Sequence, residues 1–183
     1  SDYESNYWNE SELQLQCNKL EQAIKNSTKE FSKNKTVGYK DVQNALTANE
    51  AAINIIREKR SVNDSSIVTE YIALILKKNS TCPELVRFTS SELFETDYIQ
   101  HYQDKIENRQ DDQFSYKRFW KPIADKLQGV SNVYLSADGI YNQINLYTLK
   151  NPDDGKYILD QLNISILPNL SYITYNNIAN ENN

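Results

Sequence analysis

Residues 133–146 read VYLSADGIYNQINL, and this stretch decides the fold expected around it. The apolar run 133–135 predicts a strand, and residues 140–149 predict a second strand or extended segment. Between them lie the mainly polar residues 136–139 (SADG), in which Gly139 suits the positive φ angle of a tight turn. We therefore expect a β-hairpin whose turn is the SADG sequence.

Asp138 is the acidic residue of this turn, and it invites a catalytic interpretation. An aspartate before a glycine is nevertheless ordinary turn chemistry, because its carboxylate accepts a hydrogen bond from a following backbone N–H. The pairs Asp111–Asp112 and Asp153–Asp154 also stand in polar sequence that predicts a loop and a turn. We interpret all these carboxylates as turn or loop residues rather than as acid–base groups.

Three apolar runs precede this region and predict strands. They cover residues 51–56 (AAINII), 67–76 (IVTEYIALIL) and 84–88 (ELVRF), and the second is the most apolar run of the chain. Residues 57–66 are polar and carry an Asn-Asp turn signal. The connections are too short for a crossover helix, so the runs predict an antiparallel meander.

Helical periodicity appears in four segments. The first carries an apolar stripe formed by Leu13, Cys17, Leu20, Ile24 and Phe31. A short helix is predicted over residues 39–46, and a longer one runs from an N-cap at Ser90 or Ser91 to about residue 108. The fourth covers residues 116–127, with Pro122 in its first turns and Gly129 after its end.

Beyond the SADG sequence, residues 151–155 (NPDDG) predict a second turn and residues 163–167 (NISIL) predict another strand. Helical and strand segments therefore share one chain of 183 residues, which is long enough to bury a core. We expect an α/β fold.

Composition excludes several classes of function. The net charge is −5 and the lysines are mixed with acidic residues, so no basic face predicts nucleic-acid binding. No apolar run is long enough to predict a membrane span, and the first residues show no signal-peptide pattern. The chain contains no Met, begins SDYESNYWNE and stops in a polar run, so we expect it to be a piece of a longer polypeptide.

Few residues are candidates for catalysis or for metal binding. The cysteines, Cys17 and Cys82, belong to no CxxC pattern, which argues against a metal or disulfide framework and fits a reducing, cytoplasmic compartment. His101 is predicted to lie on the outer side of a helix, in a surface or packing role. A Cys82–His101 dyad is conceivable but has no motif behind it. We assign no catalytic, cofactor-binding or metal-binding residue.

The order of segments resembles a known family. The run FWKPIADKLQGVSNVYLSADGIYNQINLYTL, followed by GKYILDQLNISILPN, is similar to the beginning of a CHAT domain (caspase–HetF associated with tetratricopeptide repeats). The matching positions are Trp120, Lys121, Pro122, Ser136, Asp138, Gly139, Asn142, Gln143, Ile144, Tyr157, Ile158, Ile164 and Pro168. The chain departs from the family pattern at Ala137, where the family has proline, and at Asn145–Leu146, where it has Pro-Phe.

The resemblance covers roughly residues 36–175 and implies a caspase-like three-layer α-β-α fold, here incomplete. Residues 1–35 would be a helical linker, which either joins upstream tetratricopeptide repeats or packs on the domain. Residues 36–130 would form an inactive pseudo-caspase subdomain, and residues 131–183 would supply the first strands of the catalytic subdomain. CHAT activity depends on a His and a Cys downstream of the SADG position, in motifs that this chain does not contain.

The resemblance therefore implies the N-terminal, non-catalytic portion of a CHAT-type cysteine peptidase. Its partners would be a C-terminal segment or chain that brings the His–Cys pair, and a protein or peptide substrate. The end at Asn183 would be compatible with proteolytic processing into two paired chains. The alternative is a non-enzymatic interaction module that uses a pseudo-caspase scaffold to hold a partner protein.

Overall fold

A computed structural model describes Lys19, residues 37–63 and residues 66–174. The chain divides into two compact units, Ser1–Val37 and Gly38–Asn183, and every element below belongs to the second. The predicted N-terminal helix lies outside the described residues. A five-stranded mixed sheet organises the second unit, and it confirms the α/β class. Its strands are β1 (Glu50–Asn63), β2 (Ser66–Lys77), β3 (Glu84–Arg87), β4 (Asn132–Ala137) and β5 (Asn163–Ile166).

The order across the sheet is β3-β2-β1-β4-β5. β1, β2 and β3 pair antiparallel, which confirms the predicted meander, whereas β4 lies parallel to β1 and β5 parallel to β4. Parallel pairs need crossover connections, and the segments after β3 and β4 provide them. One sheet thus joins strands from residues 36–130 and residues 131–183.

β1 is longer than its sequence predicts. The polar residues 57–63 lie outside the predicted strand 51–56, yet they continue it and pair with β2, for example Arg57 with Tyr71 and Lys59 with Thr69. β2 is a long apolar run whose backbone groups require a partner along their whole length. Pairing therefore overrides the weak strand propensity of Glu58 and its neighbours, which remain exposed.

The helical segments are short and follow one another closely. They comprise α1 (Tyr39–Ala45), a 3-10 turn Ser91–Leu93, a π-helical turn Phe94–Tyr98, α2 (Ile99–Glu107), a second π-helical turn Tyr116–Trp120, α3 (Lys121–Ala124) and 3-10 turns Gly139–Asn142, Leu146–Thr148 and Ile158–Asp160. Within the described ranges, no helix combines the length and the apolar character needed to cross a membrane.

The side-chain cap predicted at Ser90 or Ser91 does not form. Ser90 occupies the N-cap position with a φ of 57°, but its side chain makes no capping hydrogen bond. Ser91 is buried, and its hydroxyl accepts a hydrogen bond of 3.0 Å from the backbone N–H of Tyr71. The serine therefore ties the helical segment to β2 instead of capping it.

The predicted hairpin around SADG is also wrong. Residues 140–149 form 3-10 turns instead of a strand, and the neighbours of β4 on both sides are parallel strands. Residues 140–149 cannot pair antiparallel with β4, because β1 and β5 occupy both of its edges. The apolar residues of this segment serve the core instead, since Ile140, Ile144, Leu146 and Leu149 are all buried.

The core lies against one face of the sheet. Alternate strand residues point into it, as the twofold period of a strand requires. The cluster contains Ala51, Ile53, Ile55, Tyr71, Ala73, Ile75, Val86, Val133, Leu135 and Ile164 from the strands, together with Phe94, Ile99, Tyr102, Phe119, Trp120, Ile123 and Leu127 from the helical segments. The segment predicted as a helix over residues 116–127 is helical from Tyr116 to Ala124, and its apolar residues belong to this cluster.

The opposite face is covered less completely. Ala52 and Leu76, which pair directly, are buried there, and α1 contacts β2. Leu85 is 48% exposed, whereas Ile72 and Leu74 are half-buried. The described residues thus show an open α/β sheet with one well-formed layer against it.

Ser115 provides a test of the core. Its hydroxyl oxygen is buried without a hydrogen-bond partner among the described residues, although its backbone N–H donates to Asp112 Oδ1 at 3.0 Å. An unsatisfied buried polar group costs about 1–3 kcal/mol. We expect Ser115→Ala to leave the free energy of unfolding unchanged or to raise it by about 1 kcal/mol in urea denaturation. Ser91→Ala, which removes a satisfied hydroxyl, should lower it by about 1 kcal/mol, and the reverse order would contradict this interpretation.

Candidate functional site

The SADG sequence stands at the carboxyl end of β4, where open α/β sheets place their ligand sites. Ala137 ends the strand beside Ile55 of β1, and the Asp138 N–H donates to the Ile55 carbonyl at 3.2 Å. The Asp138 side chain is exposed and makes no capping hydrogen bond, so the predicted bond from this carboxylate to a following N–H is wrong. The backbone, rather than the carboxylate, shapes the turn.

Gly139 occupies a position that no other residue fits. Its φ of 59° lies in the left-handed region, as its sequence predicted. A Cβ atom here would stand 2.0 Å from the Tyr71 hydroxyl and 2.9 Å from Arg57 Cδ. The Tyr71 hydroxyl comes so close because it accepts a hydrogen bond of 3.1 Å from the N–H of Ile140. The side chain of Tyr71, which belongs to β2, therefore contacts the backbone of the turn directly.

A charged network fixes that hydroxyl. Tyr71 donates to Glu95 Oε1 at 2.5 Å, and Arg57 donates to both carboxylate oxygens of Glu95, at 2.7 Å for Nη2. The hydrogen bonds from Arg57 hold the pKa of Glu95 at about 2, well below its ordinary 4.5. Burial raises the pKa of Tyr71 to about 12. Glu95 is therefore ionised and Tyr71 protonated at neutral pH, which suits this bonding pattern.

Two further tyrosines hold the chain that follows. The Tyr141 hydroxyl donates to the carbonyl of Phe119 at 2.8 Å inside the core. The Tyr102 hydroxyl accepts a hydrogen bond of 3.1 Å from the N–H of Asn145. Together with Tyr71, these residues tie the turns after β4 to β2, α2 and the segment before α3. The hydroxyl groups of these three tyrosines therefore hold the SADG region and the turns after it in place.

The outer surface of this region is polar. Asp138, Asn142, Gln143 and Asn145 are exposed on it. Gln143 also lines an open cavity of about 450 Å³, together with Arg57, Glu95, Ile99, Gly139 and Ile140. These lining residues include no Cys, Ser or His that could act as a nucleophile or base. The arrangement can hold the backbone of the turns in place and expose side-chain amides to a ligand. Its lining residues supply no nucleophile for covalent catalysis.

Cys82 and His101 occupy separate environments. Cys82 is an exposed free thiol in the loop between β2 and β3, near Lys77. Lys77 pairs with Ala51, which places this loop at the amino end of β4, away from Asp138. His101 Nε2 lies 3.5 Å from Asp112 Oδ1, and its ring packs 4.8 Å from Phe114. Of the two roles predicted for His101, surface or packing, the structure shows packing, because the ring is half-buried against Phe114.

The acidic pairs serve the loops in which they stand. Asp112 accepts hydrogen bonds from the N–H groups of Phe114 and Ser115, and Asp154 accepts one from Lys156. Asp111 pairs with Lys150 at 3.2 Å, and the hydrogen bond lowers the pKa of that carboxyl. In the part of the chain that is described, no group of three or more His, Cys, Asp or Glu residues is arranged to hold a metal ion.

Sequence reasoning missed Arg57, Tyr71 and Glu95. Arg57 lies in the polar segment between two predicted strands, and Glu95 lies in a predicted helix; neither belongs to a motif. Alternation along β2 places Tyr71 on the same face as Ala73 and Ile75, which is the one signal that could have found it. No protein-family model matches the chain, and a search of curated proteins finds no significant match.

Proposed function

We propose that this chain is the N-terminal, non-catalytic portion of a CHAT-type cysteine peptidase. The observation that carries the proposal is the SADG region, whose family-like residues lie at the carboxyl end of a parallel strand and are fixed from below by Tyr71. The mixed open sheet supports it as the beginning of a caspase-like three-layer fold. In this proposal the protein works in the cytoplasm, in agreement with its unpaired Cys82.

The chemistry would be divided between two segments. A downstream segment or chain would bring a His and a Cys, and the His would take the thiol proton so that the thiolate attacks a peptide carbonyl. The described chain would supply rigid strands and the fastened turns of residues 138–147. Exposed Asn142 and Gln143 would face the incoming segment, because they belong to the family-like block that follows Asp138.

The sequence and the mass of the native protein test this proposal. The polypeptide after Asn183 is expected to contain a His-Gly motif and a Ser-Ala-Cys motif. Mass spectrometry of protein purified from its source is expected to show either one longer chain or a co-purifying C-terminal fragment. A single species of 183 residues, with neither motif following it in the reading frame, would overturn the proposal.

The second candidate is an interaction module without enzymatic activity. The cavity beside Gly139, whose lining residues carry no nucleophile, agrees with this candidate as well as with the first. A third arrangement would use Cys82 with His101, and Cys82→Ala distinguishes it from the other two. Peptidase activity of the longer protein that survives Cys82→Ala excludes catalysis by this thiol.

A further inference from the structure

Within the described ranges, residues 37–63 and 66–174, β5 is an edge strand and pairs with β4 on one side. The N–H groups of Asn163 and Leu167 donate to β4 and the residue before it, at 2.9 Å to Ser131 O and 2.8 Å to Leu135 O. Backbone groups of a strand point to alternate sides, so those of Ile164 and Ile166 point away from β4. These two residues carry the edge of the sheet on which another strand could pair.

Tyr147 occupies that edge. Its hydroxyl accepts a hydrogen bond of 2.7 Å from the N–H of Ile164 and donates one of 2.8 Å to the carbonyl of the same residue. A single side chain thereby satisfies both backbone groups that Ile164 would offer to a neighbouring strand. The tyrosine belongs to the 3-10 turn Leu146–Thr148, which packs beside β5.

β5 is suited to pair with a second copy of itself. In an antiparallel pair related by a twofold axis through Ser165, Ile164 would face Ile166 of the other copy, and the reverse pair would follow from symmetry. Both outward-pointing residues would then be used. Each of the two hydrogen-bonded pairs contains one Ile164, so a group bound to Ile164 blocks the whole register.

Apolar residues around the edge would also stabilise a pair of β5 strands. Ile166 is 70% exposed at this edge. A cavity of about 320 Å³ beside it is lined in part by Ile144, Leu146 and Ile164. Unpaired strand edges with apolar flanks are sites of association between protein chains. We propose that the Tyr147 hydroxyl closes the β5 edge and prevents two copies of the chain from pairing through this strand.

Tyr147→Phe tests the proposal, because it removes the hydroxyl and keeps the ring. The amide of Ile164 is expected to exchange with deuterium about tenfold faster in dilute protein, where its partner is lost. Sedimentation equilibrium over rising concentration is expected to show a dimer that the wild-type chain does not form. Tyr147→Ala, which also clears the ring from the edge, is expected to dimerise at least as strongly.

Two variants make the result specific. Tyr134→Phe removes a strand tyrosine hydroxyl that bonds the Glu50 side chain instead of a sheet edge, and it is expected to stay monomeric. Ile166→Pro removes an outward N–H and is expected to abolish the dimer of Tyr147→Phe. Unchanged exchange at Ile164 in Tyr147→Phe would overturn the proposal. So would two Tyr147 variants that remain monomeric, or a dimer that survives Ile166→Pro or forms equally in Tyr134→Phe.

Discussion

Replacing Gly139 by alanine is expected to lower the free energy of unfolding by about 2–5 kcal/mol. A left-handed conformation costs a non-glycine residue about 1–2 kcal/mol, and forcing a methyl group into a packed site costs about 1–3 kcal/mol more. The methyl group would meet the Tyr71 hydroxyl at 2.0 Å. Tyr71 cannot move away at low cost, because the residue is 1% exposed and its ring centroid lies 5.4 Å from that of Phe94.

Alanine variants at two other glycines measure the cost of the backbone conformation without the contact with Tyr71. Gly129 and Gly155 also have positive φ angles, of 77° and 71°, but a Cβ atom on either would meet nothing within 4 Å. Alanine at these positions should therefore cost about 1–2 kcal/mol, the conformational part alone. Urea denaturation of the three variants measures the difference. Equal losses at all three positions would contradict a direct contact between Tyr71 and the SADG turn.

Glu95→Gln is expected to lower the free energy of unfolding by about 1–3 kcal/mol at pH 7, since it weakens the charged hydrogen bonds that Glu95 accepts. Glu95 accepts them from Arg57 and from Tyr71, and Tyr71 in turn holds the Ile140 N–H. Urea denaturation at pH 7 measures this loss. The exposed Glu92 is a matched control on the same helical segment, and Glu92→Gln should change stability by less than about 0.5 kcal/mol.

The effect of Glu95 depends on pH in a definite direction. Its pKa is about 2 in the folded chain against an ordinary value of 4.5. A carboxyl group whose pKa is lowered by folding stabilises the folded state above its unfolded pKa. The difference in stability between wild type and Glu95→Gln should therefore be full above about pH 5 and shrink as the pH falls towards 2. A difference that stays constant between pH 7 and pH 3 would contradict the ion pair with Arg57.

The sequence predicted correctly those elements that have a clear apolar periodicity or are bounded by turn residues. The apolar runs 67–76 and 163–167 are strands, and most of the predicted helix over residues 116–127 is helical, from Tyr116 to Ala124. These elements follow from properties of neighbouring residues, namely apolar period, turn residues and length. The meander also followed, because short connections leave few ways to arrange three strands.

What pattern could not predict depends on distant residues. Residues 140–149 carry apolar spacing that suits a strand, and they form 3-10 turns because β1 and β5 already occupy both edges of β4. The Asp138–Gly139 pair looked like a hairpin turn, yet Gly139 is required by the Tyr71 hydroxyl, which comes from a strand far back in the chain. No local signal in the sequence records an approach of this kind.

Labelling by a thiol-directed acylating peptidase probe tests the proposed peptidase most directly. The probe is applied to the longer polypeptide, or to this chain together with its C-terminal partner. We expect labelling of one cysteine downstream of Asn183, its loss in Gly139→Ala and its retention in Gly129→Ala and Cys82→Ala. Labelling that depends on Cys82, or an absence of labelling from the complete protein, would contradict the account.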